Sequence, residues 1–255
     1  MIRKGGKADR RLKKIAWRWR QPEWAQNRGI WLPCGQAGIT PGIARQIYFG
    51  EYESKEIDIV ARKLEAGDVV LEVGAGLGYI SAFCARRIGN ERVHAFEANP
   101  ALMPLIRATH ERNAVAPGVH NVLLAQGEGV CTFYVESEFW ASSTKPRGTQ
   151  AQAIKVAQRD LNAELRRLAP TFLVVDIEGG EAEFFAYADL AGVSKICVET
   201  HPDVLGDTGV SALFSRLFDQ GFVLDFSCMR KNVFFFYRQQ RAPGAPALSA
   251  ANAPA

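Results

Sequence analysis

The residues best equipped for chemistry cluster at the ends of four apolar runs. Val174-Val175-Asp176-Ile177-Glu178-Gly179-Gly180-Glu181 ends in two carboxylates two positions apart. Alternation along a strand predicts that Asp176 and Glu178 share a side, and carboxylates in such surroundings are costly unless paired or at work. Val198-Glu199-Thr200-His201-Pro202 brings another acid and a histidine to the end of a second run. Val69-Val70-Leu71-Glu72-Val73-Gly74-Ala75-Gly76-Leu77-Gly78 ends a third with an acid and three alternating glycines. Glu97 closes the fourth, 23 positions beyond Gly74. A glycine turn lets backbone approach a ligand where a Cβ would clash. An acid at the end of the following strand accepts hydrogen bonds from ribose hydroxyls. Together they read as a nucleotide-like ligand held at one end of a sheet, with proton acceptors nearby. The plainer alternatives are a helix-entry carboxylate for Glu97, a loop anchor for Asp176, a first-turn helix charge for Glu181 and a loop histidine for His201.

Placing these groups together requires strands that alternate with helices. The pattern predicts a helix over residues 52–64 and a strand over 69–73, then a helix over 79–87 and a strand over 92–96. A helix over 100–113 follows, opened by Asn99-Pro100 as cap and first-turn proline. The next strand is expected at 121–125, an added antiparallel strand at 131–135 and a short strand at 153–156. Asp160 is expected to cap a helix through Leu168. Further strands are expected at 172–177 and 195–198, with helices at 180–188 and 210–218, and a closing strand pair at 222–226 and 233–237. Residues 21–50, rich in Gly, Pro and aromatics, read as irregular. The result is an α/β protein with a doubly wound, mostly parallel sheet covered on both faces and an antiparallel edge strand.

The glycine spacing discriminates between ligands. A dinucleotide turn places its third glycine at the sixth position, which here is Tyr79. The third glycine, Gly78, arrives one residue early. That disfavours a nicotinamide cofactor and an NAD-linked oxidoreductase, and the G-x-G-x-G form after Glu72 resembles the first motif of class I S-adenosylmethionine (SAM) methyltransferases.

Asp176-Ile177-Glu178-Gly179-Gly180-Glu181 is similar to the D-x-E-G-x-E signature of FkbM-type methyltransferases. Gly50-Glu51-Tyr52-Glu53, Gly67 through Ala75, and Phe96-Glu97-Ala98-Asn99-Pro100 resemble further segments of that family, in consistent order over residues 50–238. The departures are Glu72 where Asp is usual, Gly76 where Asn is usual and Ala98 where Pro is usual. The resemblance implies a Rossmann-like, SAM-dependent methyltransferase acting on hydroxyls of sugars, glycans or secondary metabolites. The candidate SAM contacts are Glu72, Gly74, Ala75, Gly76, Gly78, Glu97 and Asn99, and the candidate catalytic residues, from the chemistry of a hydroxyl nucleophile that must lose its proton, are Asp176, Glu178 and His201, any of which can supply the base. No DPPY-like turn of the kind used for amino-group methylation follows the fourth main strand. Asp176, Glu178 and His201 are a metal-compatible trio by type, but too small a set for a metal to be expected.

Composition bounds the rest. The 255 residues are 47% apolar and 23% charged, ordinary for one globular domain. The net charge of +4 hides an asymmetry: residues 1–20 carry +8 and the remainder −4. A nucleic-acid enzyme usually spreads basic charge over its binding face, so a nucleic-acid partner is disfavoured. Leu12, Ile15, Ala16 and Trp19 form one face of a basic helix over 11–20. It suits an anionic membrane surface or, the favoured reading, docking on the domain itself. The division expected is therefore a basic arm and lead-in over 1–49, the methyltransferase domain over 50–238 and a disordered Ala/Pro-rich tail over 239–255. No apolar segment reads as a signal peptide or membrane span, and the five scattered cysteines indicate neither disulfides nor zinc, which together predict a cytoplasmic protein. Acceptor specificity is expected in residues 21–50 and 136–150. Trp140 and Tyr79 are candidates for stacking or core packing.

Overall fold

The computed structural model describes Trp17, Trp19, residues 22–135 and residues 151–239. The chain opens with a hairpin, β1 (Trp24–Asn27) and β2 (Ile30–Pro33), followed by α1 (Pro41–Phe49) and α2 (Ser54–Lys63). Then come β3 (Val70–Val73), α3 (Tyr79–Ile88), β4 (Val93–Phe96), α4 (Met103–Arg112) and β5 (Gly118–His120). Three strands lie apart from the main sheet: β6 (Leu123–Ala125), β7 (Gly129–Val135) and β8 (Gln152–Asp160). The remainder is α5 (Leu161–Leu168), β9 (Phe172–Val175), α6 (Glu181–Tyr187), β10 (Lys195–Glu199), α7 (Pro202–Asp219), β11 (Val223–Leu224) and β12 (Val233–Tyr237).

The main sheet runs β11-β12-β10-β9-β3-β4-β5. All pairs from β10 through β5 are parallel, and β12 is antiparallel to both of its neighbours. The antiparallel strand therefore lies one place in from the edge, with the two-residue β11 outside it. Both faces are buried. Val70, Phe172, Val174 and Cys197 join one core beneath α2, α3 and α4. Leu71, Val73, Leu173, Val175 and Val198 join the other beneath α5, α6 and α7. Successive strand residues thus point to opposite faces, as the pleat requires. The order reverses at β3, which lies between β4 and β9, and this is where such sheets bind ligands.

Several expectations are corrected. Residues 24–49 are not an irregular lead-in. Ile30, Leu32, Ile43 and Ile47 are part of the core, so the domain begins well before residue 50. Thr40 caps α1 by accepting from Ile43 N, and Gly50 ends it in the left-handed region at φ 71°. The third parallel strand is β5, not residues 121–125. Leu123–Ala125 instead pairs with β8 in the separate sheet, and the apolar signal at Val122 and Leu124 reports burial there. β7 is antiparallel as expected, but to β8 and outside the main sheet. β9 stops at Val175, so Asp176 and Glu178 lie beyond the alternation used to pair them. The helix expected at 210–218 begins eight residues earlier, at Pro202, with a non-helical Gly206 inside it.

Trp17 and Trp19 are helical. Two residues apart on a helix, they face different ways. Trp17 lies against Tyr48, with ring centroids 5.0 Å apart, while Trp19 is 87% exposed. Trp17, not Trp19, meets the domain. The rest of the arm, Trp140 with residues 136–150, and the tail from residue 240 lie outside the described residues. No helix among the described residues is long and apolar enough to cross a membrane.

Candidate active site

A cavity of about 910 Å³ opens beyond the carboxyl ends of β3, β4, β9 and β10. Gly74, Gly76 and Glu97 line it, as do Asp176, Glu178 and His201. The glycine turn and the carboxylate cluster, 100 residues apart in sequence, are thereby brought into one site.

The glycines answer to the protein's own packing as well as to a ligand. A Cβ on Gly74 would stand 1.8 Å from the Asp176 carbonyl oxygen. On Gly76 it would meet the Tyr52 hydroxyl at 2.6 Å, and on Gly78 the His110 ring at 2.9 Å. All three have positive φ. Tyr52 also accepts from Leu77 N at 3.3 Å, which ties the segment before α2 to the turn.

Glu97 sits at the tip of β4. One oxygen accepts from Gly76 N at 3.1 Å and the other from Asn99 N at 2.8 Å. Burial pushes its carboxyl up to about 7, against the lowering pull of those amides. It therefore bridges turn and helix entry while still lining the cavity. Glu72, Ala75, Gly78 and Asn99 do not line it. Asn99 caps the next turn through Ala101 N at 3.0 Å, and Gly78 packs on α4.

Glu72 shares Val70's face of β3, which turns its side chain toward α3. It is 2% exposed, and burial pushes its carboxyl up to about 8 although Ser81 lowers it. Folding thus favours protonated Glu72, while the unfolded chain ionises near the ordinary value of 4.5. A carboxyl raised in this way costs stability progressively as pH climbs from that ordinary value through the folded one. Glu72→Gln is expected to melt several degrees above the parent near pH ~9, with the gap closing near pH ~5. Thermal melts at both pH values check this, and a gap independent of pH would refute it.

The acidic end is built from β9, β10 and α2. Glu178 adopts φ 48°, a left-handed conformation uncommon outside glycine. It brings Glu178 Oε2 within 3.3 Å of His201 Nε2, and Asp176 Oδ1 lies 3.8 Å from the same nitrogen. The other ring nitrogen, Nδ1, is 2.6 Å from Glu181 Oε1, and Glu181 is fully buried. Burial works to lower His201, but its hydrogen bonds to Glu178 and Glu181 push it up to about 11. It is an imidazolium across the neutral range. Burial and the Glu199 charge hold Asp176 well above the usual carboxylate range.

Lys55, Glu56 and Glu199 also line this wall. Lys55 Nζ donates to Glu199 Oε1 at 3.1 Å and to Asn232 Oδ1 at 2.9 Å, and Asn232 Nδ2 donates to the same Glu199 oxygen at 2.6 Å. Burial acts to raise Glu199, but Lys55 brings it below its ordinary value. Glu56 is 3% exposed, and burial together with Glu199 pushes it up to about 7. Sequence reasoning placed Glu199 at the sheet edge without assigning it a role, and it missed Glu56 altogether. Glu56 lies on an amphipathic helix, where one acid beside apolar positions carries no signal of its own.

The opposite wall comes from Leu124, Phe133, Gln158, Phe184 and Tyr187, on the small sheet and the helices beside it. Asp160 fixes this layer. It caps α5 through Ala163 N at 2.8 Å, accepts from Gly127 N at 2.8 Å and receives the Tyr187 hydroxyl.

A curated relative, the ribosomal RNA small subunit methyltransferase A of Rubrobacter xylanophilus, is 49% identical over 74 residues, which is 28% of this chain and 27% of that enzyme. The magnesium protoporphyrin IX methyltransferase of Synechocystis PCC 6803 is 12% identical over 93% of this chain and 100% of its own, with a TM-score of 0.43. A putative SAM-dependent methyltransferase from Streptococcus mutans is 12% identical over 86% of this chain and 56% of its own, with a TM-score of 0.47. A family model for the methyltransferase FkbM domain matches residues 68–224, from the turn before β3 to the end of β11, and so spans the glycine turn, Glu97, Asp176, Glu178, Glu181, Glu199 and His201. The chain belongs to the FkbM methyltransferase family.

Proposed function

We propose that the enzyme methylates a hydroxyl oxygen of a sugar, glycan or similar metabolite. The observation that carries this reading is the lining of one cavity, where Gly74, Gly76 and Glu97 stand together with Asp176, Glu178 and Glu199. The first three suit SAM. Carboxylate oxygens have lone pairs beyond those taken by two amides, so Glu97 can also accept from ribose hydroxyls. Phe96, Leu102, Val122 and Leu124 offer apolar walls to a base. The surrounding carboxylates favour a positive sulfonium.

Bound SAM supplies a methyl group on sulfur, with a neutral thioether as leaving group. The chain must align the acceptor oxygen and take its proton. His201, as imidazolium, has no lone pair to receive it. Burial and the Glu199 charge hold Asp176 well above the usual carboxylate range, which favours its protonated form. Glu178, paired with His201, is the remaining carboxylate of the three and accepts the proton. The acceptor oxygen then bonds to the methyl carbon as the carbon–sulfur bond breaks.

An RNA acceptor is the competing reading, favoured by the short stretch of identity with a ribosomal RNA methyltransferase. Against it stands an acidic wall that repels phosphates. Incubation with methyl-labelled SAM and separate panels of sugars, glycans and RNA distinguishes the two. Methyl ethers, identified by mass spectrometry, are expected. Label confined to RNA bases overturns the proposal.

A further inference from the structure

We propose that the acidic end of the cavity holds one divalent cation of the magnesium or manganese kind, ligated by Asp176, Glu199 and His201. This rests on the hydroxyl-acceptor reading and deepens it. One ligand atom from each residue lies within 4.8 Å of the others. All three follow or end β9 and β10, which are paired in the sheet, so their positions are set by rigid elements. His201 is already oriented as a ligand. Nδ1 is held at 2.6 Å by the fully buried Glu181, and Nε2 faces Asp176 and Glu178. A carboxylate behind the histidine is the usual support of a metal-bound imidazole.

A second observation points to a missing positive charge. Glu56 is 3% exposed, lines the same cavity and has an oxygen, Oε1, with no hydrogen-bond partner. It lies against Glu199, and carboxylates at that range need a proton or a cation between them. Asp176 Oδ1 is likewise buried without a hydrogen-bond partner. Among the described residues of this wall, Lys55 and His201 are the cations, set against Glu56, Asp176, Glu178, Glu181 and Glu199. A donor set of two carboxylates and one imidazole, with open positions for water and acceptor, fits a hard divalent ion. The ion takes the place of the proton on Nε2. It binds the acceptor hydroxyl and lowers its pKa. The proton passes to Glu178, the oxygen bonds to the methyl carbon, and the sulfur leaves with the electrons of its broken bond.

The test is a titration of the full chain, stripped with EDTA, with Mn²⁺, following free Mn²⁺ by electron paramagnetic resonance, with and without SAM and without acceptor. One Mn²⁺ per chain is expected, displaced by Mg²⁺. Asp176→Asn and Glu199→Gln should each weaken binding by roughly 10-fold or more. Thermal melting guards against misfolding: Mn²⁺ should raise the Tm of the parent but not that of Asp176→Asn. Without metal, Asp176→Asn should melt close to the parent, since the oxygen it replaces accepts no hydrogen bond and meets His201 only at 3.8 Å. Absence of stoichiometric Mn²⁺ binding, or binding unchanged in both variants, overturns the site. Because no acceptor is present, that failure leaves hydroxyl methylation standing. Conversely, intact Mn²⁺ binding without methyl ether formation would strike only the acceptor reading.

Discussion

Glu178→Gln is expected to lower kcat by about 10²–10⁴-fold, the usual contribution of a positioned general base, while SAM affinity changes by no more than a few-fold. The two effects separate because Glu178 pairs with His201, whereas Glu97 and the Gly76 amide pair with each other. Glutamine keeps the size and the reach toward His201 but cannot take a proton. Isothermal titration with SAM and single-turnover methyl transfer measure the two quantities independently. The histidine offers a contrast. His201 is clamped by Glu178 at 3.3 Å and Glu181 at 2.6 Å, so its loss disturbs the position of Glu178. His201→Gln should therefore cost rate by misplacing the base, and a conservative change at Glu178 should not be rescued by any change at His201. Full activity in Glu178→Gln would remove it as the base.

Gly74→Ala is expected to produce the largest loss of stability of any single methyl addition in the site. The new Cβ would stand 1.8 Å from the Asp176 carbonyl oxygen and 2.9 Å from its carbon. Both are backbone atoms and cannot swing aside. Nor can the turn retreat: Gly74 N donates to Phe96 O at 2.9 Å, and Asp176 N donates to Val73 O at 2.9 Å. Overpacking of this kind costs about 1–3 kcal/mol or more, and the left-handed φ of 86° adds about 1–2 kcal/mol. For a chain of this size the sum corresponds to a Tm lower by on the order of 10 °C. Gly67→Ala, where a Cβ meets nothing within 4 Å, is the control and should melt near the parent. Equal melting temperatures for Gly74→Ala and the parent would show that the loop after β9 yields. Since that loop carries Asp176 and Glu178, the substitution should also reduce kcat in whatever folded fraction remains.

The sequence by itself determined the α/β alternation, the family and the glycine turn, and it singled out Glu97, Asp176, Glu178 and His201 as candidates. These were legible because each depends on local spacing. Strand residues alternate, helix caps are single residues, and short motifs sit at strand ends, where this sheet binds ligands. Only the tertiary structure decided which of them face the cavity. Glu72 and Glu97 look alike in sequence, as acids at or near the ends of adjacent strands. The pleat turns Glu72 beneath α3, while Glu97 reaches the rim. The same holds for Glu56 and Lys55, whose importance comes from the approach of α2 to β10 across more than 140 residues. The small sheet that walls the cavity was hidden for a related reason, because a strand's partner is chosen by long-range pairing and not by its own residues. Even the glycines changed meaning. Their spacing pointed to a ligand, but the need for Gly74 is set by a carbonyl that folding delivers from the far end of the motif, at Asp176.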